Sequence, residues 1–88
     1  MNGREPYKIV LVVWLDACGG SKDGWHSMRS ILRQKPSEAR SVGYLVREEE
    51  DYIVVCPHLV GVGERDTDGD GELAIPRSWV KKVVTLKK

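Results

Sequence analysis

The segment 66–71 carries the pattern in this chain that is closest to a known metal site. Asp66, Asp68 and Asp70 alternate as carboxylates do at positions one, three and five of a calcium-binding EF-hand loop, and a glycine follows at position six. Carboxylate oxygens are ligands that Ca²⁺ prefers. However, position twelve, which should be a bidentate Glu, is Arg77, and the flanking residues are typical of strands rather than helices. We therefore interpret the segment as an exposed hairpin loop without metal, and keep a calcium-stabilised structural module as an alternative function.

Four further side chains are of the types that bind zinc or supply a nucleophile: Cys18, His26, Cys56 and His58. Their spacings, C-x₇-H and C-x-H, match no usual structural zinc site. Cys56 lies in an apolar run, where a free cysteine behaves as a small buried hydrophobe. A Cys–His nucleophile would also need an orienting group and an oxyanion site, and no motif marks either. The chain is therefore predicted to be non-enzymatic, with no catalytic residue and no cofactor.

The aromatic residues are a stronger indication of a binding surface. The chain has three Trp and three Tyr but no Phe, and Trp and Tyr near Arg are enriched where proteins bind partners. Trp14 and Asp16 fall on the face of the first strand opposite a Leu-rich face. If the Leu-rich face is the core, Trp14 points outward, and we expect Trp25 to anchor a short helix and partly cover it. The rim of this pair is then the expected site, with Tyr44 and His58 beside it.

A nucleotide ligand would need an aromatic side chain to stack on the base and an Arg or Lys to hold the phosphate. Trp25, Tyr44, Arg47 and Arg77 are the candidates for these two roles. The complete set of predicted ligand-binding or partner-binding residues is Trp14, Asp16, Trp25, Tyr44, Arg47, His58 and Arg77.

Single-stranded nucleic acid is a second class of partner, suggested by the basic residues Arg77, Lys81, Lys82, Lys87 and Lys88. A basic edge beside aromatic side chains suits a single strand. The same lysines are equally typical of a strand that protects the edge of a sheet from aggregation. Lys and Arg number 14 and Asp and Glu 13, which gives a net charge of +1, because acidic segments offset the basic ones. Nucleic acid is therefore kept as an alternative and is not favoured.

The segment 41–58 organises the predicted fold. Residues 41–47 alternate between the two faces of a strand, and 52–56 are rich in the β-branched and aromatic residues that strands prefer. Between them, 48–51 are four adjacent acidic residues, which repel one another and need water. The pattern predicts a hairpin with a solvated acidic tip. Gly43, inside the first of these strands, predicts a bulge or a sharp bend.

The other segments complete a small β protein. Residues 7–16 predict a strand, 25–35 a short helix or structured loop ended by Pro36, and 72–75 and 79–86 two final strands joined by a proline turn. These elements predict a mainly β fold: an SH3-like antiparallel five-stranded barrel, with a 3₁₀ turn between its last two strands. Eighty-eight residues make one domain, 1–88, of which we expect 1–6 to be flexible.

The cellular location of the chain is predicted from the absence of sequence signals for a membrane span, for export and for disulfide bonds. Its longest apolar run, 9–15, is too short to cross a bilayer and has no cleavage site of the signal-peptide type. Two cysteines are too few for a disulfide scaffold. We therefore expect no membrane association and a reducing cytoplasm.

Several short motifs are shared with a known group of proteins. They are Trp14-x-Asp16 followed by Trp25, the run SVGYL at 41–45 with its acidic turn, YIVV at 52–55, AIPR at 74–77, and Val80-x-x-Val83-x-x-Leu86. In these the chain resembles a group of small proteins encoded by tailed phages and prophages. The resemblance implies an SH3-like barrel of phage origin that acts in a bacterial host cell. It carries over no active-site residues.

Together these observations predict a non-catalytic, phage-type binding module in the host cytoplasm. The expected partner is a host protein or a small nucleotide signal, and inhibition of a bacterial defence factor is one form of this hypothesis. A homo-oligomer is also considered. The alternatives are the single-stranded nucleic-acid binder and the calcium-binding structural module.

Overall fold

The structure is a computed structural model, which describes residues 7–17, 24–62 and 65–87. Its strands are β1 (Ile9–Asp16), β2 (Ser37–Glu48), β3 (Tyr52–Cys56), β4 (His58–Val62), β5 (Arg65–Asp70), β6 (Leu73–Pro76) and β7 (Val80–Thr85). A single turn of α-helix, α1 (Met28–Ile31), lies between β1 and β2, and a 3₁₀ turn (Arg77–Trp79) joins β6 to β7. Among the residues described, no helix has the length and apolarity needed to cross a membrane.

Five strands form one antiparallel sheet in the order β6-β3-β2-β1-β7. Sequence neighbours pair along β1, β2 and β3, and β7 returns to pair with β1. The 3₁₀ turn therefore links the two outer strands, β6 and β7, as it does in the predicted barrel. This arrangement confirms a mainly β fold with a five-stranded antiparallel sheet and one short helical insertion, whereas the barrel is not closed, because β6 and β7 do not pair with each other.

The core lies on one face of this curved sheet and is built from alternate residues. Its buried side chains are Val10, Val12, Trp14, Ile53, Val55 and Ile75. The prediction for β1 was therefore wrong, because the face carrying Trp14 points inward and the Leu-rich face carrying Leu11 points to the other side of the sheet.

The residues opposite β1 explain which of its faces is buried. Val10 pairs with Gly43, Val12 with Ser41, and Trp14 with Ala39. Each large side chain on β1 thus faces a small residue on β2, which leaves room for the indole inside the fold. The indole N–H of Trp14 donates to Ser41 Oγ at 3.0 Å, so its one polar group is satisfied.

Gly43 is required by close packing rather than by a bulge at that position. A Cβ at Gly43 would lie 2.8 Å from Cγ1 of Val55 and 3.0 Å from the carbonyl of Cys56. The register shift between β2 and β3 falls two residues later, between Leu45 and Arg47. The glycine therefore lets β3 approach β2 closely, and the bend that we predicted at Gly43 occurs nearby.

The Asp- and Gly-rich segment forms a strand instead of the predicted loop. β5 pairs with β4 in a separate two-stranded hairpin, inserted between β3 and β6. A register shift between Val60 and Gly61 brings the chains so close that a Cβ at Gly61 would overlap the backbone of Arg65. Gly61 therefore permits a tight pairing that any larger residue would block.

Two segments lie outside the five-stranded sheet, and the molecule is elongated. It measures 56 × 24 × 23 Å, and its radius of gyration is 17.0 Å, against about 12 Å for a compact chain of this length. One of these segments is the β4–β5 hairpin. The other, residues 24–36, contains α1 and is called the arm below.

Candidate binding site

The seven residues predicted to bind a partner do not form one site. Trp14 and Asp16 lie at the end of β1 that pairs with the start of β2, whereas Arg47 lies near the end of β2. Because β2 has 12 residues, these positions are separated by most of its length. Tyr44 is half-buried on the outer face of the sheet opposite Cys56, and His58 is exposed at the start of β4. Asp16 is exposed as well, and the predicted joint rim is not formed.

Trp14 and Trp25 have environments opposite to those expected. Trp14 is only 8% exposed and belongs to the core, where its ring stacks on that of Trp79 with centroids 6.5 Å apart and planes at 8°. Trp25 is 95% exposed and therefore anchors nothing within the described structure. Of the two, only Trp25 has a surface that a partner can reach.

Arg47 and Arg77 both bind the acidic turn between β2 and β3. Nε of Arg47 lies 2.7 Å from a carboxylate oxygen of Glu49, which holds the pKa of the guanidinium above its ordinary value. Nε of Arg77 donates to the backbone carbonyl of Glu49 at 3.1 Å, and its backbone N–H donates to the carbonyl of Asp51 at 2.8 Å. The two arginines thus hold the turn in place. The acidic tip, which was predicted to be solvated, also forms ion pairs.

The arm turns its apolar side to solvent. Its helix begins after Ser27, whose hydroxyl accepts from the N–H of Ser30 at 3.1 Å. The helix is one turn long, shorter than the segment 25–35 predicted, and it buries no residue. The apolar stripe is defined here as Trp25, Met28, Ile31 and Leu32, whose exposed fractions are 95%, 63%, 45% and 77%. Four large apolar side chains within a short segment of the chain are therefore exposed to water.

The polar side of the arm faces a cleft between the arm and the start of β2. This basic cleft has a volume of about 700 Å³, and its charged lining residues are Arg29, Arg33, Lys35 and Glu38. The carboxylate of Glu38 accepts from Nζ of Lys81 at 2.9 Å and from the guanidinium of Arg40 at 3.2 Å. The hydrogen bond and charge of Lys81, with the charges of Arg40 and Lys82, lower the pKa of Glu38. This end of the molecule is therefore rich in positive charge.

A second concave surface lies at the other end, where the hairpin bends over the outer face of the sheet. This acidic groove has a volume of about 360 Å³, and it is lined by Tyr7, Val46, Val54, Cys56, Leu59, Asp66, Thr67, Asp68, Gly69 and Glu72. Its floor is apolar, and its carboxylates come from β5 and the residue before β6. Gly69 closes the hairpin onto Cys56, since a Cβ there would lie 2.8 Å from Sγ.

The residues weighed as metal ligands are not gathered around a point. Asp66, Asp68 and Asp70 follow one another along β5, and the described residues hold no group of three His, Cys, Asp or Glu suited to a metal ion. The thiol of Cys56 is buried and donates to the carbonyl of His58 at 3.2 Å. Cys18, the other cysteine considered for zinc, lies outside the described residues.

Comparison of the chain with models of known protein families, with curated proteins and with solved structures found no match in any of the three. The surfaces described above are therefore the basis of the proposed function. The apolar stripe and the cations of the arm were not among the predicted site residues, apart from Trp25. The signal for them was present in the sequence, because residues 24–37 contain three Arg or Lys and no acidic residue.

Proposed function

We propose that this chain is a non-catalytic binding module whose arm docks into an apolar groove on a partner protein. The observation that carries the proposal is the orientation of the arm, which presents the apolar stripe to solvent and keeps its polar side toward the fold. Adjacent exposed apolar side chains of this size are typical of protein-interaction surfaces. Trp25 is the expected anchor, since Trp residues dominate the binding energy of many interfaces.

The charges of the arm limit the chemistry of the partner. Arg29, Arg33 and Lys35 are exposed on the side of the arm that lines the basic cleft, and the arm, residues 24–36, has no acidic residue to balance them. A matching surface would therefore have an apolar floor bordered by carboxylates, because complementary charges speed association and exclude wrong partners.

The resemblance to tailed-phage proteins supports a host protein in the bacterial cytoplasm as this partner. Small accessory proteins of phage origin act by occupying a host component, and a defence factor is one target of that kind. On this proposal the chain inhibits by binding and needs no catalytic group.

The test compares two exposed apolar positions on the same chain. Trp25→Ala alters the anchor, whereas Val42→Ser alters an apolar side chain that is 54% exposed on β2, outside the arm. Each variant and the unaltered chain are used to capture proteins from a bacterial host lysate, with a photo-crosslinker at position 32. The proposal requires a partner that is lost with Trp25→Ala, kept with Val42→Ser and crosslinked at position 32. Equal capture by Trp25→Ala would refute it.

The basic cleft favours a second candidate function, the binding of a nucleotide or single-stranded nucleic acid. Trp25 is close in sequence to the residues that line the cleft and is free to stack on a base, while Arg29 and Arg33 could hold phosphate. Titration of Trp fluorescence with mononucleotides and with a labelled oligonucleotide tests it. Binding that weakens with salt and is lost in Arg29→Glu with Arg33→Glu would favour this function over protein capture. Our prediction remains that nucleic acid is not the main ligand.

A further inference from the structure

The acidic groove has the surface chemistry that the arm requires, and from this we infer that the arm of one copy docks into the groove of a second copy. The floor of the groove is formed by apolar side chains, among them Val46, Val54 and Leu59, and its border carries Asp68 and Glu72. The arm offers an apolar stripe, and Arg29 and Arg33, which follow Met28 and Leu32 in the sequence, are exposed along the basic cleft. This inference rests on the proposed function, since it names one partner of the same arm.

The two surfaces lie at opposite ends of β2. The arm joins β2 at Ser37, and Val46 in the groove is nine positions further along the strand, which corresponds to about 30 Å. Ala17 precedes Trp25 by eight residues, which span at most about 28 Å when fully extended. The arm would have to give up α1 and run extended along the sheet to reach its own groove. A second copy can supply the arm without such a change.

The sizes of the two surfaces are compatible. The groove has a volume of about 360 Å³. A Trp side chain enclosed in it would bury about 150–250 Å² of its surface. With Met28, Leu32 and the facing groove residues, the contact would bury on the order of 1,000 Å² in total, which is the lower limit of specific interfaces. We therefore expect assembly that is reversible and depends on protein concentration.

The contact joins two different surfaces, so two antiparallel copies can exchange arms reciprocally in a closed dimer, or each copy can place its arm on a further copy. Head-to-tail contacts of this kind generate either rings or open chains. Each copy in the interior of a chain uses both its arm and its groove, while the copy at one end keeps a free arm. That free arm can engage a host protein, which makes self-assembly and host binding competing uses of one segment.

The experiment uses two variants, each lacking one half of the contact. The arm variant is Trp25→Ala with Leu32→Ser, and the groove variant is Asp68→Lys with Glu72→Lys. All four side chains are exposed, and circular dichroism checks that both variants fold. Sedimentation velocity over a wide range of concentrations should show dimers or larger species for the unaltered chain. Each variant alone should stay monomeric, because it cannot supply both surfaces.

The decisive measurement is the mixture of the two variants. The arm variant supplies an intact groove and the groove variant an intact arm, so the mixture should form a one-to-one dimer and nothing larger. Charge exchange gives a second route: Arg29→Glu with Arg33→Glu should restore binding to the groove variant and lose binding to the unaltered groove. High salt should weaken the unaltered assembly, because part of the attraction is between exposed charges.

Several outcomes would overturn the inference. They are an unaltered chain that is monomeric throughout, an arm variant or a groove variant that still assembles alone, and a mixture that stays monomeric. A monomeric chain that still captures a host protein through Trp25 would overturn self-assembly alone and leave the proposed function standing. A chain that assembles but captures no host protein would overturn host binding and leave self-assembly standing.

Discussion

Trp14 and Trp79 stack almost parallel, with ring centroids 6.5 Å apart and planes at 8°. Trp79 lies in the 3₁₀ turn before β7, so the stack links the end of β1 to the start of β7, an edge strand of the sheet. Trp14 also donates to Ser41 Oγ on β2. One buried indole thereby connects β1 with β2 and with the 3₁₀ turn before β7.

Trp14→Ala should therefore destabilise the fold by about 3–5 kcal/mol, the usual cost of removing a large aromatic side chain from a core. Trp25→Ala, at a position that is 95% exposed, should change the free energy of unfolding by no more than about 0.5 kcal/mol. Urea denaturation of both variants checks the contrast. A larger loss for Trp25→Ala than for Trp14→Ala would contradict the burial of these two residues.

Gly43 and Gly61 should respond differently to the same substitution. Gly43→Ala introduces a Cβ 2.8 Å from Val55 Cγ1 within the main sheet, and overpacking of this kind costs about 1–3 kcal/mol. Gly61→Ala forces apart only β4 and β5, because its clash is with Arg65 across the hairpin. We expect the first variant to lower the global melting temperature and the second to loosen the hairpin alone.

Amide hydrogen exchange distinguishes these two effects. In Gly61→Ala the amides of β4 and β5 should lose protection while those of Val10 and Ile53 keep it, since local opening need not involve the core. Uniform loss of protection in Gly61→Ala would show that the hairpin and the sheet unfold together.

The five strands of the main sheet could be predicted from the sequence, but the buried face of β1 could not. β1 is apolar on both faces, so alternation alone does not say which face is inside. The deciding information lies on β2, where Gly43, Ser41 and Ala39 make space for the larger residues of β1. Which residues of β2 meet β1 is a long-range property that local patterns do not contain.

A short helix in the arm was predicted correctly, but the anchoring role of Trp25 and the loop at 66–71 were predicted wrongly, for different reasons. The spacing of Trp25, Met28 and Leu32 predicts an amphipathic helix, but spacing does not identify what covers the apolar side. The segment 66–71 has a composition that strands disfavour, yet its pairing with β4 holds it extended. Strand preference depends strongly on context, and here Gly61 and Gly69 allow a close approach that composition alone does not reveal.

Calcium should not stabilise this chain. Alternate residues along a strand lie about 6.6 Å apart, so the carboxylates of Asp66, Asp68 and Asp70 run in a row. Ca²⁺ needs six to eight oxygens at about 2.3–2.6 Å. The melting temperature should therefore be the same with calcium and with a chelator, and Asp68→Ala should respond as the unaltered chain does. A rise in melting temperature with calcium that is absent in Asp68→Ala would restore the calcium-binding alternative.

Glu38 should make the free energy of unfolding decrease as the pH falls through the acidic range. Its pKa is lowered from the ordinary value of 4.5, chiefly by the hydrogen bond from Lys81 and then by the charge of the same residue. A carboxyl whose pKa is lower in the folded state stabilises the fold above its unfolded pKa. That contribution is lost as the pH falls below 4.5 and through the folded value. Glu38→Gln should therefore lower the melting temperature at neutral pH, where the charged carboxylate contributes, and match the unaltered chain once Glu38 is protonated, so that the curve of melting temperature against pH is flatter between these limits.

The partners of Glu38 should differ in how much they matter. Lys81→Met removes the two leading causes of the lowered pKa, Arg40→Met removes a weaker one, and Lys82→Met removes the weakest. Carbon NMR of the Glu38 carboxyl should therefore show its pKa rising most in Lys81→Met and least in Lys82→Met. Because these groups are exposed, added salt should narrow the differences among the three variants. An equal pKa in Lys81→Met and the unaltered chain would show that the ion pair between β2 and β7 does not persist in solution.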